Sequence, residues 1–197
     1  MTSSNSPYGP AQSSMLEDLE DILVSEDSIK RRIAEIGLQL NSNYRGEEII
    51  LISIVNGAVV FTADLMRAIS IPIQLDCLHI SNYKDGAHTF SEEEIASQVH
   101  INIKNRKVLL IDDILDTGLT LQKVVAALKG LGAGEIKTCV LLRKKGRQTS
   151  PFLADIVGFD IPDECVVGYG IDYSEKYRNL PFIGVLKPDC QNPPMWV

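Results

Sequence analysis

Asp112, Asp113 and Asp116 stand close together, and Thr117, Gly118 and Thr120 follow at once. Carboxylates so grouped can hold sugar hydroxyls, bind Mg²⁺, or take a proton. The residues after them suit an anion: Gly118 lets a backbone come close, and the two threonines add hydroxyl donors. Carboxylates beside a phosphate would repel it. The acids must therefore face something else, whether sugar hydroxyls, Mg²⁺ or a proton to be removed.

The elements that position these groups are legible on either side. Val108-Leu109-Leu110-Ile111 is an apolar run too short for a helix and reads as a central, doubly covered parallel strand. Leu121, Val124, Val125 and Leu128 recur at helical spacing. The order is strand, acidic tip, small-residue turn, helix. In open α/β sheets ligands bind beyond the carboxyl ends of the strands, and a helix N-terminus favours an anion.

The whole string closely resembles the phosphoribosyl-pyrophosphate (PRPP) signature of type I phosphoribosyltransferases: apolar strand, two acids, two apolar residues, then Asp-Thr-Gly-x-Thr. The resemblance implies that Asp112 and Asp113 hold the ribose hydroxyls and Mg²⁺. Thr117, Gly118, Leu119 and Thr120 would grip the 5-phosphate, and Asp116 would act as the base at purine N7.

The chain has 197 residues, 45% hydrophobic and 23% charged, which is ordinary for one soluble globular domain. Its formal net charge of -7 argues against a general nucleic-acid binder. Cys77, Cys139, Cys165 and Cys190 show no CxxC or metal spacing and read as reduced core thiols of a cytoplasmic protein. No run approaches membrane-spanning length, and no signal-peptide core is seen.

In chain order, residues 1–15 read as a disordered tail, 16–190 as one domain and 191–197 as a second tail. Ile22-Leu23-Val24 is a short strand, Ser25 an N-cap, and Ile29, Ile33, Ile36 and Leu40 one helical face, fraying near Asn41–Asn43. Ile49–Val55 is a second buried strand, running into Asn56-Gly57-Ala58 and a helix with Phe61, Leu65 and Ile69. This repeats the strand–turn–helix plan and offers a second anion site. In the hypoxanthine–guanine branch of the family the matching loop binds pyrophosphate through backbone N–H groups, and its first peptide is commonly cis. The resemblance assigns that role to Val55, Asn56, Gly57 and Ala58, with Asn56 where the family usually has Lys.

Ile73–Ile80 reads as a strand, followed by a long polar stretch through Glu94. By resemblance this is a loop that closes over the reaction centre, with Tyr83 on the pyrophosphate. Its three glutamates should face solvent, and His88 and His100 read as surface residues. Lys129-Gly130-Leu131-Gly132 ends a helix instead of opening one, so it is a C-cap and turn and no dinucleotide fingerprint. Ile136–Leu142 is a strand, and Arg143-Lys144-Lys145-Gly146-Arg147 a solvated basic turn.

A second stretch, Asp155 through Arg178, resembles the purine-binding hood of the same branch. It implies that Lys144 donates to the purine 6-oxo group and that Val166 offers its backbone to the base edge. Cys165 stands where the family stacks an aromatic. Asp172 would hold a second Mg²⁺ and Arg178 the pyrophosphate. The hood is expected from the N-terminal strand and residues 152–173. The implied architecture is the α/β type I phosphoribosyltransferase fold, a mostly parallel twisted sheet with helices on both faces. The implied activity is Mg²⁺-dependent transfer of phosphoribose from PRPP to hypoxanthine or guanine, giving IMP or GMP, in a homodimer or homotetramer. Two other readings follow from the same residues. A regulatory RNA-binding relative would keep the PRPP signature, but the chain is acidic. A phospho-accepting receiver domain would need its acid pair near the N-terminus.

Overall fold

The computed structural model describes residues 15–80, 90–147 and 149–191. A five-stranded parallel sheet is built from β2 (Ile49–Val55), β3 (Ile73–His79), β4 (Lys107–Leu115), β5 (Glu135–Lys144) and β6 (Ile156–Ile161), in the order β3-β2-β4-β5-β6. β2 and most of β4 are buried because both sheet faces are covered. On one face Ile49, Leu51, Leu109, Ile111, Cys139 and Leu141 meet α1 (Glu26–Asn43) and α2 (Val59–Ala68). On the other, Ile50, Ile52, Val108, Leu110 and Val140 meet α3 (Glu92–Ser97) and α4 (Leu119–Gly130). This is why the strands read as unbroken apolar runs. Each such buried side chain contributes about 1.5–3 kcal/mol.

α1 forms as its pattern implies. Ser25 caps it, accepting from the Ser28 N–H at 3.3 Å, and Ile29, Ile33, Ile36 and Leu40 are its buried face. It runs unfrayed to Asn43 and closes on Tyr44, whose N–H donates to Leu40. Both sheet edges are covered. On β6, Arg32 of α1 donates to the carbonyls of Gly158 at 3.0 Å and Val157 at 2.9 Å. On β3, Asp76 accepts from His100 N–H at 2.7 Å and Ile101 N–H at 3.1 Å.

A second, antiparallel sheet has the order β1-β8-β7, from β1 (Leu19–Val24), β7 (Val166–Val167) and β8 (Ile183–Leu186). It is the core of the hood, packed over Leu19, Val167, Leu180, Phe182 and Leu186. Two expectations change here. The hood was expected to include residues 152–161, but β6 pairs with β5 in the main sheet. Its third strand is instead β8, which follows the stretch that resembled the hood. The polar stretch through Glu94 ends in α3, nucleated by a capping box in which Ser91 and Glu94 each bond the other's backbone N–H. Glu92 to Glu94 form its exposed first turn, where the helix dipole favours acids. Of the four thiols only Cys139 is buried; Cys77 is exposed and Cys165 and Cys190 are half-buried. His100 lies on the surface beside Asp76, as expected. Among the described residues no helix is long and apolar enough to cross a membrane. The two tails, but for Met15 and Gln191, lie outside the described residues, as do His88 and Tyr83.

Candidate active site

The strand order reverses between β2 and β4. From β2 the chain crosses to β3 on one side, and from β4 to β5 on the other. The loops leaving β2 and β4 therefore diverge and open a crevice at the carboxyl end of the sheet. Both loops run straight into helices. α2 is capped by Ala58 and α4 by Gly118, and neither cap residue bonds its helix through a side chain. α1 and α3, by contrast, are capped by serines. The two helix starts at the crevice thus lack the serine cap of the other two, and among the described residues the first N–H of α4 donates only to the Thr117 hydroxyl, at 3.4 Å. Gly118 sits at φ +84°, a left-handed conformation that glycine adopts without strain, and a Cβ there would stand 2.8 Å from Ser150 Oγ.

Asp112 and Asp113 lie within β4, whose pairing with β5 continues two residues past them to Leu115. Asp112 is buried, and its Oδ1 accepts from the Asp113 N–H at 3.0 Å. Asp113 Oδ1 accepts from the Ile114 N–H at 2.7 Å. Burial raises the pKa of both carboxyls, and for Asp112 the charge of Asp113 adds to the effect. Among the described residues neither is paired with a cation. The Val55–Asn56 peptide is cis. The loop it opens packs hard against this pair: a Cβ on Gly57 would come within 1.8 Å of Asp113 Oδ2. Only a residue without a side chain lets the two loops meet.

The hood closes the third side. Gly170 lies against the Gly57 carbonyl, and a Cβ on it would be 2.5 Å away. Asp172, close enough to raise Asp113 further, is held by Arg178 at 3.0 Å and by the Glu175 N–H at 2.9 Å. Arg178 also donates to the Gly170 carbonyl at 2.9 Å and Glu175 at 2.8 Å. Val166 is buried and pairs with Val185. Cys165 accepts at its carbonyl from the Leu186 N–H at 2.8 Å and packs on the hood cluster.

Asp116 follows β4 and meets Arg147, whose Nε lies 3.0 Å from Oδ1 and Nη2 3.4 Å from Oδ2. Lys144 is the last residue of β5, with Nζ 3.5 Å from Asp163. Thr117 ties the acidic loop to the β5–β6 connection, its carbonyl accepting from the N–H groups of Thr149 and Ser150, each at 3.3 Å.

A strand-tip acid pair and two helix starts, arranged about a sheet switch point, have counterparts in known proteins. Residues 21–174 match the family model described as "Phosphoribosyl transferase domain". The chain belongs to the phosphoribosyl transferase family. It is 39% identical over 174 residues to the hypoxanthine-guanine phosphoribosyltransferase of Bacillus subtilis, covering 88% of this chain and 97% of that one. It is 38% identical over 176 residues to the bifunctional protein TilS/HprT of Listeria innocua, of whose length it spans 27%. A hypoxanthine phosphoribosyltransferase crystal structure from Staphylococcus aureus superposes with a TM-score of 0.85 at 35% identity, covering 97% of this chain and all of that one.

In this phosphoribosyl transferase eight of the residues singled out from sequence lie around the crevice: Asp112, Asp113, Asp116, Thr117 and Gly118 from β4 and its turn, Gly57 from β2's loop, Asp172 and Arg178 from the hood. Arg147 and Asp163 were missed as site residues. Arg147 read as part of a solvated turn, and Asp163 lay within the stretch that resembles the hood without a role of its own. The available signal was position, since each follows the carboxyl end of a strand on the same side of β4, Arg147 after β5 and Asp163 after β6.

Proposed function

We propose that this protein transfers a 5-phosphoribosyl group from PRPP to N9 of hypoxanthine or guanine, giving IMP or GMP and pyrophosphate, as a cytoplasmic homo-oligomer. The observation that carries the proposal is the contact of Gly57 with Asp113. It joins a ligand-facing loop to an acid pair at the switch point of the sheet.

Mg²⁺ fits this site. Asp112 and Asp113 are hard oxygen donors, drawn out of water and unpaired with any cation among the described residues. No group of three or more candidate ligands is present among those residues. Mg²⁺ is usually held by one or two carboxylates together with substrate phosphates, so two suffice. Asp112 and Asp113 would hold it, and Asp172 a second ion where Arg178 turns to the diphosphate. The cation would supply neutralisation of the departing diphosphate.

The chain's own residues divide the remaining work. The turn Thr117–Thr120 and the start of α4 receive the 5-phosphate on backbone N–H groups. Asp112 and Asp113 accept from the ribose hydroxyls. Val55–Ala58, with Arg178 and Tyr83, receives the pyrophosphate. Cys165 and Val166 border the purine, and Lys144 donates to its 6-oxo group. As N9 attacks C1 of the ribose, the bond to diphosphate breaks and Asp116 takes or shares the proton at N7.

A four-base assay tests the reading. With Mg²⁺ and PRPP, hypoxanthine or guanine should release pyrophosphate and adenine and uracil should not. A buried donor aimed at a 6-oxo group can discriminate against a 6-amino group by roughly 10⁴-fold. Lys144→Ala should narrow the gap. Adenine as the best substrate would reject the role of Lys144. Bound PRPP with no reacting base would reject the transferase reading.

A further inference from the structure

Four charged side chains alternate in sign across three adjacent strand ends. Asp116, after β4, is bonded by Arg147 through Nε at 3.0 Å and Nη2 at 3.4 Å. Arg147, in the β5–β6 connection, reaches Asp163 Oδ2 through Nη1 at 3.4 Å. Asp163, after β6, meets Lys144 Nζ through its other oxygen, Oδ1, at 3.5 Å. The end members are the two groups proposed to address the base, one at N7 and one at the 6-oxo oxygen. Those purine atoms lie on the same edge of the ring system, so their protein partners must be held at a matching separation.

Stability does not explain the chain. Arg147, Asp116 and Asp163 have side chains 48%, 39% and 47% exposed, and exposed ion pairs contribute little. What the arrangement fixes is geometry. The Arg147 fork spends two nitrogens on one carboxylate and the third on another, which a lysine ammonium cannot reproduce. Asp163 gives one oxygen to each cation, which an asparagine cannot, since its amide offers one acceptor oxygen. Asp116 keeps acceptor capacity beyond the fork, because a carboxylate has about four lone-pair sites.

We infer that Arg147 and Asp163 are positioning residues for purine recognition, a bridge that sets Asp116 and Lys144 at the spacing of purine N7 and the 6-oxo group. This rests on the proposed transfer to a 6-oxopurine. It adds that specificity is held by two residues that need not touch the base. Removing either should loosen the pair without disturbing the PRPP loop, whose Thr117 carbonyl is held separately by Thr149 and Ser150.

The test is steady-state kinetics of wild type, Arg147→Lys and Asp163→Asn, each alone and in a Lys144→Ala background, with thermal melts alongside. Each single variant should raise the KM for hypoxanthine by about tenfold, a typical coupling for neighbours in one network. The KM for PRPP and the melting temperature should stay near wild type. Discrimination against adenine should narrow. In the Lys144→Ala background Asp163→Asn should add less than about twofold, because its partner is gone. Wild-type hypoxanthine kinetics in both single variants, or effects that simply multiply with Lys144→Ala, would overturn the bridge while leaving the transferase reading intact. So would an equal rise in the KM for PRPP, or faster turnover in Arg147→Lys, which would make the bridge an inhibitory clasp. Absence of turnover with any 6-oxopurine in the wild type would instead overturn the transferase reading and the bridge with it.

Discussion

Acidic residues behave oppositely at the two ends of the main sheet. Near the amino end of β5, Asp155 is surrounded by donors: Lys137 Nζ at 2.9 Å, Thr138 N–H at 2.9 Å and Thr138 Oγ1 at 3.0 Å. Burial pulls its carboxyl upward, and these donors more than offset that, holding it below the usual carboxylate range. At the carboxyl end, Asp112 and Asp113 are sunk beside each other with only neighbouring N–H groups and each other's carboxyl for partners among the described residues, and burial drives both upward. The first acid is satisfied by the fold. The second pair stays costly until something else arrives to satisfy it. The same strands thus carry a stabilising end and a binding end, and local destabilisation marks the binding end.

That contrast can be broken most sharply at Asp116. Asp116→Asn should keep PRPP binding and lose turnover by on the order of 10²–10⁴-fold, the usual cost of removing a positioned base. Near-wild-type turnover at neutral pH and saturating PRPP would remove Asp116 from the chemistry. Gly57→Ala comes next. The added methyl has no room beside the Asp113 carboxylate, which must swing aside. PRPP affinity should fall by up to roughly 10²-fold, since a misplacement of about 1 Å can cost that much. An unchanged PRPP KM would mean that Asp113 does not serve the bound substrate.

Asp155→Ala should do the reverse, lowering stability by about 1 kcal/mol with turnover intact. Lost activity without lost stability would erase the distinction between the two ends. The smallest effect concerns pH. Because the folded state holds the Asp155 pKa below its unfolded value, its contribution is fully present above the ordinary carboxylate range. It is lost as pH falls through the depressed folded value. Asp155→Asn should therefore show a shallower loss of melting temperature on acidification than wild type. Parallel curves would show that the Lys137–Thr138–Asp155 cluster carries no acid-labile stability.

Much of the site was legible because its signals are local. Apolar runs, the Asp-Thr-Gly-x-Thr turn and the helical spacing after it act within a few residues, as do the Ser25 cap and the repeat of the same plan at Asn56–Ala58. Where a local signal was passed over, the element was missed: Ser91 and Glu94 form a capping box that a polar stretch concealed. β6 was assigned to the hood because resemblance along the chain says nothing about which strand a segment will pair with.

What the sequence by itself determined is the set of strand–turn–helix units and the chemistry each carries at its tip, since periodicity and turn conformation are properties of contiguous residues. Only the tertiary structure decided which tips face one another. Gly57 abuts Asp113, Arg147 spans from Asp116 to Asp163, and Gly170 meets the Gly57 carbonyl because the strand order β3-β2-β4-β5-β6 and the hood above it bring them there. Such pairings join residues far apart in the chain. They are set by how buried sheet faces and helices pack as a whole, which no single stretch of sequence encodes.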